Sequence, residues 1–471
     1  MDGLECSEIN LRYVKDKLLR VDAEYYQKDS LILESALESM AGKTISAHNG
    51  KTDCSAFYPS ITGYYSDDRN NIPFLRVNEI VDGLVVISDK TVFLPEEVLK
   101  ANNKTIALAY PGDIIIAKGG NTLAKVGLVT DEFNVYATCR DVIILRTGEM
   151  TDLNKFYLWA YLHGSFGQKL MWRSASQTGQ PHLTLKAIDG IHVPEYCMAL
   201  QDAIEWLYNQ SVYLKQKSQR EYIAATNLLE KVLNVPSLSG RSVSVKSFSG
   251  SFGKTGRLDA EYYQEKYQIY ESAVQSSVHG YTCVRNVFLP VKEKCLRDLP
   301  FYNYVEIGDI NVETGNETFN TIDTDQLPDN AKIMTKQGDL LVSTVRPNRG
   351  AVAILENDDL LVSGAFTVLR EGGDYPKEVL QVLLRTSMYR DWLLRFNVGT
   401  SYPVIKDEDV LNMPIPILID EVKQDVVTKV NESASLRRQS KQLLEYAKQA
   451  VEMAIEQGEE TALTWLKDKV E

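Results

Sequence analysis

The stretch RVDAEYYQ, residues 20–27, returns as RLDAEYYQ at residues 257–264. Seven of the eight residues are identical, and a chance match of common helix-start residues does not account for a shared tyrosine pair. Self-similarity of this kind indicates that one structural module is built more than once. We therefore expect the chain to contain two copies of one domain.

Further matches follow in the same order along both copies. GDIIIA at residues 112–117 parallels GDLLVS at residues 338–343, and each predicts an apolar strand that is entered through a Gly-Asp turn and followed by a polar loop. GQPHLTLK at residues 179–186 parallels GTSYPVIK at residues 399–406. The separation shrinks from 237 to 220 residues, so the second copy is predicted to have shorter loops.

A long helical pattern follows each copy, from about Met198 to Leu233 and from about Glu421 to Gln457. Apolar residues recur there at spacings of three and four, as on one face of a helix. About 36 helical residues span roughly 54 Å, which is longer than a compact domain is wide. We expect the two helices to pair as an antiparallel coiled coil with pseudo-twofold symmetry.

The predicted fold class is therefore α+β, with two tandem α/β domains that are each followed by a long helix. A stretch rich in serine and glycine between the first helix and the second copy is typical of a linker. The predicted boundaries are 1–195 for the first domain, 196–235 for the central helix, 236–256 for the linker, 257–416 for the second domain, 417–457 for the C-terminal helix and 458–471 for an acidic tail.

Composition bounds the class of protein. The 471 residues and 53.1 kDa suit two or three domains, and 44% hydrophobic with 24% charged residues is the balance of a globular protein. No stretch approaches the roughly 20 apolar residues of a membrane helix. The first 17 residues contain neither the apolar core nor the cleavage site of a signal peptide, so we expect none. Six scattered cysteines contain no CxxC pair, which argues against a zinc finger or a disulfide framework. We expect a cytoplasmic protein.

The net charge of −13 alone argues against a nucleic-acid binder, because binding to phosphates needs clustered lysine and arginine. The distribution of charge changes this conclusion. Residues 305–330 contain seven acids and no lysine or arginine, so one segment holds much of the surplus. A basic surface elsewhere is compatible with the total.

No catalytic residues or metal ligands are predicted. Gly253-Lys254-Thr255 lacks the earlier glycine and the strand of a phosphate-binding loop. Asn71-Ile-Pro-Phe74 resembles the four-residue motif of adenine methyltransferases but has isoleucine where that motif has its first proline. The sequence also lacks a glycine-rich loop after a strand, which nucleotide binding would need. The five histidines form no pair at metal-ligand spacing.

Together, the twin RxDAEYYQ segments, the twin Gly-Asp strands and the two long helices resemble the specificity subunit of type I restriction–modification systems. The resemblance extends from about Arg20 to about Gln457. It implies two target recognition domains that read a bipartite double-stranded DNA sequence, one half-site each, without catalysis. It also implies helices that fix the spacer between the half-sites.

The resemblance implies partners and cofactors as well. Two methyltransferase subunits dock on the specificity subunit and bring S-adenosylmethionine. ATP- and magnesium-dependent restriction subunits join in some assemblies. The chain itself is expected to hold no cofactor and to contact no membrane.

Side-chain chemistry then selects candidate DNA contacts. Arginine and lysine pair with guanine, asparagine and glutamine pair with adenine, and backbone amides of glycine-rich loops bind phosphates. Arg76 and Asn78, with Tyr302 and Tyr304, are second choices. The first choices in the first copy are Lys118, Asn121, Lys125, Arg173, Gln177 and His182. The matching positions in the second copy, which place Arg346 opposite Lys118, are Arg346, Asn348, Arg349, Arg395, Ser401 and Tyr402.

The identical residues of the two copies are expected to have another role, because domains that read different bases should differ where they read them. We assign these residues to the framework of the domain or to partner docking. They are Arg20, Asp22 and Tyr25, and Arg257, Asp259 and Tyr262.

Two alternatives remain open at this point. The acidity would suit a specificity-like subunit, or a protein–protein scaffold, in another phage-defence complex. An enzyme with an unrecognised nuclease or ATPase site in the second copy would require turnover by the isolated chain.

Overall fold

The computed structural model describes residues 6–16, 20–40, 42–175, 181–236, 243–312, 314–399 and 401–470. The chain divides into two compact units. The first comprises the described residues of Met1–Tyr213 and Gln439–Glu471, and the second those of Leu214–Arg438.

The first unit is a mixed α/β structure. Its short helices are α1 (Leu11–Asp16), α2 (Lys28–Ser39), α3 (Glu96–Ala101), α4 (Lys155–His163), α5 (Ser165–Ser174) and α6 (Leu185–Asp189). Its strands are β1 (Lys43–Thr44), β2 (Lys51–Asp53), β3 (Ile72–Leu75), β4 (Ile80–Val81), β5 (Leu84–Val85), β6 (Val92–Leu94), β7 (Leu108–Ala109), β8 (Ile114–Ala117), β9 (Val126–Leu128), β10 (Tyr136–Thr138), β11 (Val142–Arg146) and β12 (His192–Val193). These strands form sheets of order β1-β12, β6-β3-β10-β7 and β2-β11-β8-β9-β5-β4.

The second unit repeats this architecture. Its elements are the helices α8 (Phe252–Thr255), α9 (Glu265–Gln275), α10 (Lys377–Arg385), α11 (Ser387–Leu393) and α12 (Asp407–Leu411), and the strands β13 (Tyr281–Cys283), β14 (Phe288–Pro290), β15 (Phe301–Val305), β16 (Asn320–Asp323), β17 (Ala331–Met334), β18 (Leu340–Ser343), β19 (Val352–Ile354), β20 (Leu361–Ser363), β21 (Phe366–Glu371) and β22 (Pro414–Pro416). Its three sheets, β13-β22, β16-β15-β20-β17 and β14-β21-β18-β19, match the three sheets of the first unit in the order given above. The third sheet of the first unit differs only in having two more strands, β5 and β4.

The Gly-Asp turns before β8 and β18 have the same construction. Gly112 and Gly338 adopt φ angles of +91° and +87°, a region where a side chain is strained. In the first turn Asp113 accepts a hydrogen bond from the amide of Tyr110, and in the second Asp339 accepts one from the amide of Lys336. The predicted strand entry is present in both units.

Two long helices, α7 (Met198–Leu233) and α13 (Asp420–Gln457), contribute to both units. In the first unit the hydroxyls of Ser211 and Ser440 lie 2.9 Å apart. In the second unit Ser218 lies 2.9 Å from Ser433, and Glu221 pairs with Lys429 at 3.0 Å. Residue numbers rise on one helix as they fall on the other, which confirms the antiparallel pairing.

Each unit has its main core between a sheet and these helices. In the first, α4 is buried on every side, packs against β9 and shares a core with α7 and α13. In the second, α10 packs against β19 in the same way. The residues expected to form an acidic tail carry a helix, α14 (Glu459–Val470), whose Ala462 and Leu466 are buried in the first core. Among the described helices, none combines the length and apolarity that crossing a membrane requires.

Candidate nucleic-acid interface

In the first unit, two polar loops meet at the end of β8. One loop, residues 118–125, connects β8 to β9, and the other contains His182. The amide of Leu183 donates to the carbonyl oxygen of Lys118 at 2.8 Å, and Gly119 pairs with His182 as an isolated β-bridge. A Cβ atom on Gly119 would lie 2.4 Å from Nδ1 of His182, so this close approach requires glycine.

The second unit contains the same loop pair at the end of β18. The amide of Ile405 donates to the carbonyl oxygen of Thr344 at 2.9 Å, and Val345 pairs with Val404 as a β-bridge. The amide of Arg346 donates to the carbonyl oxygen of Pro403 at 2.7 Å. Main-chain bonds therefore assemble both sites.

These bonds also correct the residue match made from the sequence, which placed Arg346 opposite Lys118. The backbone partner of Lys118 is Thr344. Arg346 is an additional residue before the next turn, and it adopts a left-handed conformation with φ of +51°. Asn121 and Asn348 do correspond, because each is the central residue of a three-residue 3-10 turn.

The predicted cations of the loop pairs are available to a ligand. Lys118 is half-buried, and Lys125, Arg346 and Arg349 are exposed. Among the described residues, none forms an ion pair with these four side chains. Asn121, His182, Asn348, Ser401 and Tyr402 are also exposed at the loops, whereas Gln177 lies outside the described residues.

Arg173 has a different environment from the one predicted. Its guanidinium donates to the carbonyl oxygen of Tyr25 at 2.7 Å, pairs with Glu34 at 2.8 Å and lies 4.2 Å from the centre of the Tyr25 ring. Its side chain is only 5% exposed. This burial removes Arg173 from the surface that a nucleic acid could reach.

Arg395 of the second unit has the equivalent position. Its guanidinium lies 4.7 Å from the centre of the Tyr262 ring and pairs with Glu271 at 3.1 Å. Because its side chain is 17% exposed and already paired, Arg395 also packs within the unit instead of facing a ligand.

The repeated RxDAEYYQ segments contribute a second arginine to the contacts around Tyr25 and Tyr262. Arg20 binds Asp22 through two nitrogen atoms and lies 4.4 Å from the Tyr25 ring, so two arginines enclose one tyrosine. In the second unit Arg257 binds Asp259 and lies 4.7 Å from the Tyr262 ring. We call these two clusters the tyrosine cages. Their contacts lie within a unit, as a framework role requires.

The arginine–aspartate pairs of the tyrosine cages also change the pKa values of their members. The hydrogen bond from Arg20 lowers the pKa of Asp22, and that from Arg257 lowers the pKa of Asp259. The same bond raises the pKa of Arg257. Each pair is therefore held in its charged form.

The second-choice residues differ in how accessible their side chains are to a ligand. Tyr302 and Tyr304 are buried, which excludes direct contact with a large ligand. Arg76 is paired with Glu79 at 2.9 Å and donates to the carbonyl oxygen of Lys90. Asn78 is exposed.

One cluster of possible metal ligands joins residues that are far apart in sequence. Nδ1 of the buried His48 lies 3.0 Å from Asp152, and its Nε2 lies 3.8 Å from Glu195. The ammonium group of Lys43 lies 2.8 Å from Glu195 and 3.4 Å from Asp152. A lysine that already neutralises both carboxylates disfavours a cation there.

Sequence reasoning missed Arg140 and Phe57. The amide of Lys118 donates to the carbonyl oxygen of Asp141 at 2.8 Å, which brings Arg140 next to the first loop pair. The guanidinium of Arg140 lies 5.9 Å from the centre of the exposed Phe57 ring. The sequence signal at this position is the charged pair Arg140-Asp141 between two largely apolar runs, VYATC and VIIL.

A curated protein shares part of this sequence. The specificity subunit of the type I restriction enzyme HindI from Haemophilus influenzae (strain ATCC 51907 / DSM 11121 / KW20 / Rd) is 29% identical over 134 residues. The match spans 26% of this chain and 29% of that relative's length. It confirms the resemblance to type I specificity subunits. No family model matches the chain.

Solved structures give further likenesses. The S subunit of a type I restriction–modification system from M. genitalium has a TM-score of 0.33 at 12% identity, covering 90% of this chain and 95% of that one. The HsdS subunit from Thermoanaerobacter tengcongensis has a TM-score of 0.26 at 12% identity, covering 87% and 97%.

Proposed function

We propose that this protein is the non-catalytic DNA-recognition subunit of a type I restriction–modification enzyme. Each unit reads one half of a bipartite double-stranded target. The observation that carries the proposal is the loop pair built twice by the same main-chain bonds, Leu183 to Lys118 and Ile405 to Thr344. The partial match to the HindI specificity subunit supports it.

The side chains on this shared backbone differ between units. The first loop pair presents lysines with Asn121 and His182, and the second presents Arg346 and Arg349 with Asn348 and Tyr402. Side-chain identity determines base preference, and backbone position determines only how the protein is placed on the duplex. The same backbone with different side chains therefore suits two different half-sites.

The partners and the spacer follow from the resemblance. Two methyltransferase subunits dock on this chain and supply S-adenosylmethionine, and restriction subunits that use ATP and magnesium join in a complete enzyme. The long helices α7 and α13 determine the number of unread base pairs between the half-sites. At 1.5 Å per residue, the 38 residues of α13 extend over roughly 57 Å.

Methylation mapping tests the proposal. The chain is purified from its host with its partners, and adenine methylation of genomic DNA is mapped with and without the gene. We expect an adenine methyltransferase to co-purify and a split motif to be methylated only when the chain is present. An unchanged methylation pattern would refute the proposal.

Loop variants then assign the half-sites. Lys118→Ala with Lys125→Ala is expected to relax one half of the motif, and Arg346→Ala with Arg349→Ala the other. Lys100→Ala is a matched control, because this exposed lysine pairs with Glu96 on α3 and lies outside both loop pairs. If both double variants lost specificity in the same half of the motif, the proposal that each unit reads one half-site would be wrong.

A further inference from the structure

A hollow of about 530 Å³ opens in the first unit where the parallel strands β3 and β10 end. The aromatic residues Phe57, Tyr58 and Tyr65 line it, together with Arg76 and Arg140. Phe57 is 77% exposed although its ring is apolar. Burial raises the pKa of Tyr58 to about 12, so this hydroxyl stays neutral at physiological pH.

The hollow lies beside the first loop pair, because Asp141 lines it and is bonded to Lys118. Residue 140 immediately precedes Asp141, whose carbonyl oxygen accepts the hydrogen bond from the amide of Lys118. A ligand that lies along Lys118 therefore meets Arg140 and Phe57 next.

Arg140 supplies the available positive charge of the hollow. Arg76 is neutralised by the buried Glu79, and Asp141 adds one carboxylate to the lining. Arg140 is exposed and forms no ion pair with any described residue. Its guanidinium lies over the ring of Phe57.

The second unit has the same backbone here and different side chains. β3 and β15 each continue into a short turn that is closed by an acid. The carboxylate of Glu79 accepts a hydrogen bond from the amide of Arg76 in the first unit, and that of Asp309 accepts one from the amide of Glu306 in the second, both at 2.8 Å. The bond from Lys118 to Asp141 recurs from Thr344 to Ala365 at 2.9 Å, which matches Arg140 with Gly364.

These matches give the second unit a more negative local charge. Arg76, Glu79, Arg140 and Asp141 sum to zero formal charge, whereas Glu306, Asp309, Gly364 and Ala365 sum to −2. The second unit is therefore unsuited to hold a phosphate at this position.

We infer that Arg140 and Phe57 form a second DNA contact in the first unit, beside the loop pair, and that the second unit has none. The inference rests on the proposed function. The guanidinium of Arg140 binds a backbone phosphate, and the ring of Phe57 packs on the adjoining sugar or base. The first unit therefore contacts the duplex over a longer stretch than the second.

Binding of the complete complex to a duplex that carries its methylated motif tests this inference. Arg140→Ala and Phe57→Ala are each expected to weaken binding roughly tenfold. Arg140→Ala is also expected to reduce the salt dependence by about one phosphate contact. Arg140→Lys keeps the charge and should keep the salt dependence.

Arg69→Ala is the matched control. Arg69 precedes β3 at the opposite end of the strand and pairs with Glu132, so its loss should leave DNA binding unchanged. Thermal melting of every variant confirms that the first unit remains folded.

The outcomes separate this inference from the proposed function. If Arg140→Ala binds like Arg69→Ala while Arg346→Ala is weakened, the second contact does not exist and the loop-pair proposal stands. If Arg140→Ala instead loses its methyltransferase partner with DNA affinity unchanged, the hollow is a protein interface and the inference is overturned. If the wild-type complex binds no specific duplex, the proposed function itself fails.

Discussion

The guanidinium carbon of Arg346 lies 5.5 Å from the centre of the Tyr402 ring. The contact joins the two loops of the second unit, which are already linked by the bond from the amide of Arg346 to Pro403. A guanidinium stacked on a ring keeps its in-plane N–H groups free to bind a guanine edge. The stack therefore pre-orients Arg346.

Loss of Arg346 should relax one position of the second half-site. We expect Arg346→Ala to cost ~1–3 kcal/mol of discrimination at that base pair, the usual contribution of one bidentate contact. Tyr402→Ala should have a smaller effect in the same half, whereas Tyr402→Phe keeps the ring and should bind normally. Fluorescence anisotropy with duplexes altered at single positions measures this. Equal weakening on every duplex would show a phosphate contact instead.

Arg173 should stabilise the first unit without contacting DNA. Removing one partner of a buried ion pair typically costs ~3–5 kcal/mol, and Arg173→Ala would remove the arginine partner of Glu34. Arg395→Ala should cost only about 1 kcal/mol, because its partner Glu271 is more exposed. Chemical denaturation gives the free energy of unfolding. A stable Arg173→Ala protein with impaired DNA binding would support the original sequence prediction.

The serine contacts between α7 and α13 should be coupled. Ser218 and Ser433 each donate to the other's carbonyl oxygen, at 2.8 and 2.9 Å. We expect Ser218→Ala or Ser433→Ala alone to cost about 1 kcal/mol of unfolding free energy. The double variant should differ from the sum by roughly 0.5–1 kcal/mol, because the residues touch. Exposed Gln216→Ala is the control, and strict additivity would contradict the coupling.

Acid should destabilise the tyrosine cages. The pKa values of Asp22 and Asp259 lie below their ordinary value of 3.8, so the folded chain binds these protons more weakly than the unfolded chain. Their contribution is fully present above the ordinary pKa and is lost as the pH falls through the lowered values. The urea concentration at the midpoint of unfolding is measured at decreasing pH. It should fall less steeply with pH for the double variant Asp22→Asn, Asp259→Asn than for the unaltered chain. An unchanged slope would assign the acid sensitivity to other carboxyl groups.

The sequence predicts the repeated scaffold well, because local signals determine it. The Gly-Asp turns require positive φ at Gly112 and Gly338, and apolar residues at spacings of three and four predict the long helices. The antiparallel pairing of these helices was also predicted, and the contacts of Ser218 with Ser433 and of Glu221 with Lys429 confirm it. Individual side-chain environments depend on contacts between distant residues instead.

Arg173 and Arg395 show why the site could be predicted only in part. Both occur in polar stretches typical of exposed loops, yet each stacks on a tyrosine that lies more than a hundred residues away. The sequence alignment of the loops placed Arg346 opposite Lys118. The main-chain hydrogen bonds show that Thr344 is the residue equivalent to Lys118. Such an insertion becomes visible only when the main-chain partners are known.

The main-chain bonds that hold each loop pair have a consequence for inheritance. Leu183 and Ile405 donate through their amides, and Lys118 and Thr344 accept through their carbonyl oxygens, so none of these four bonding groups depends on a side chain. Point mutations at the neighbouring exposed positions can therefore accumulate without unfolding either loop. Under the proposed function, a lineage that carries this gene could therefore acquire new target sequences in single steps.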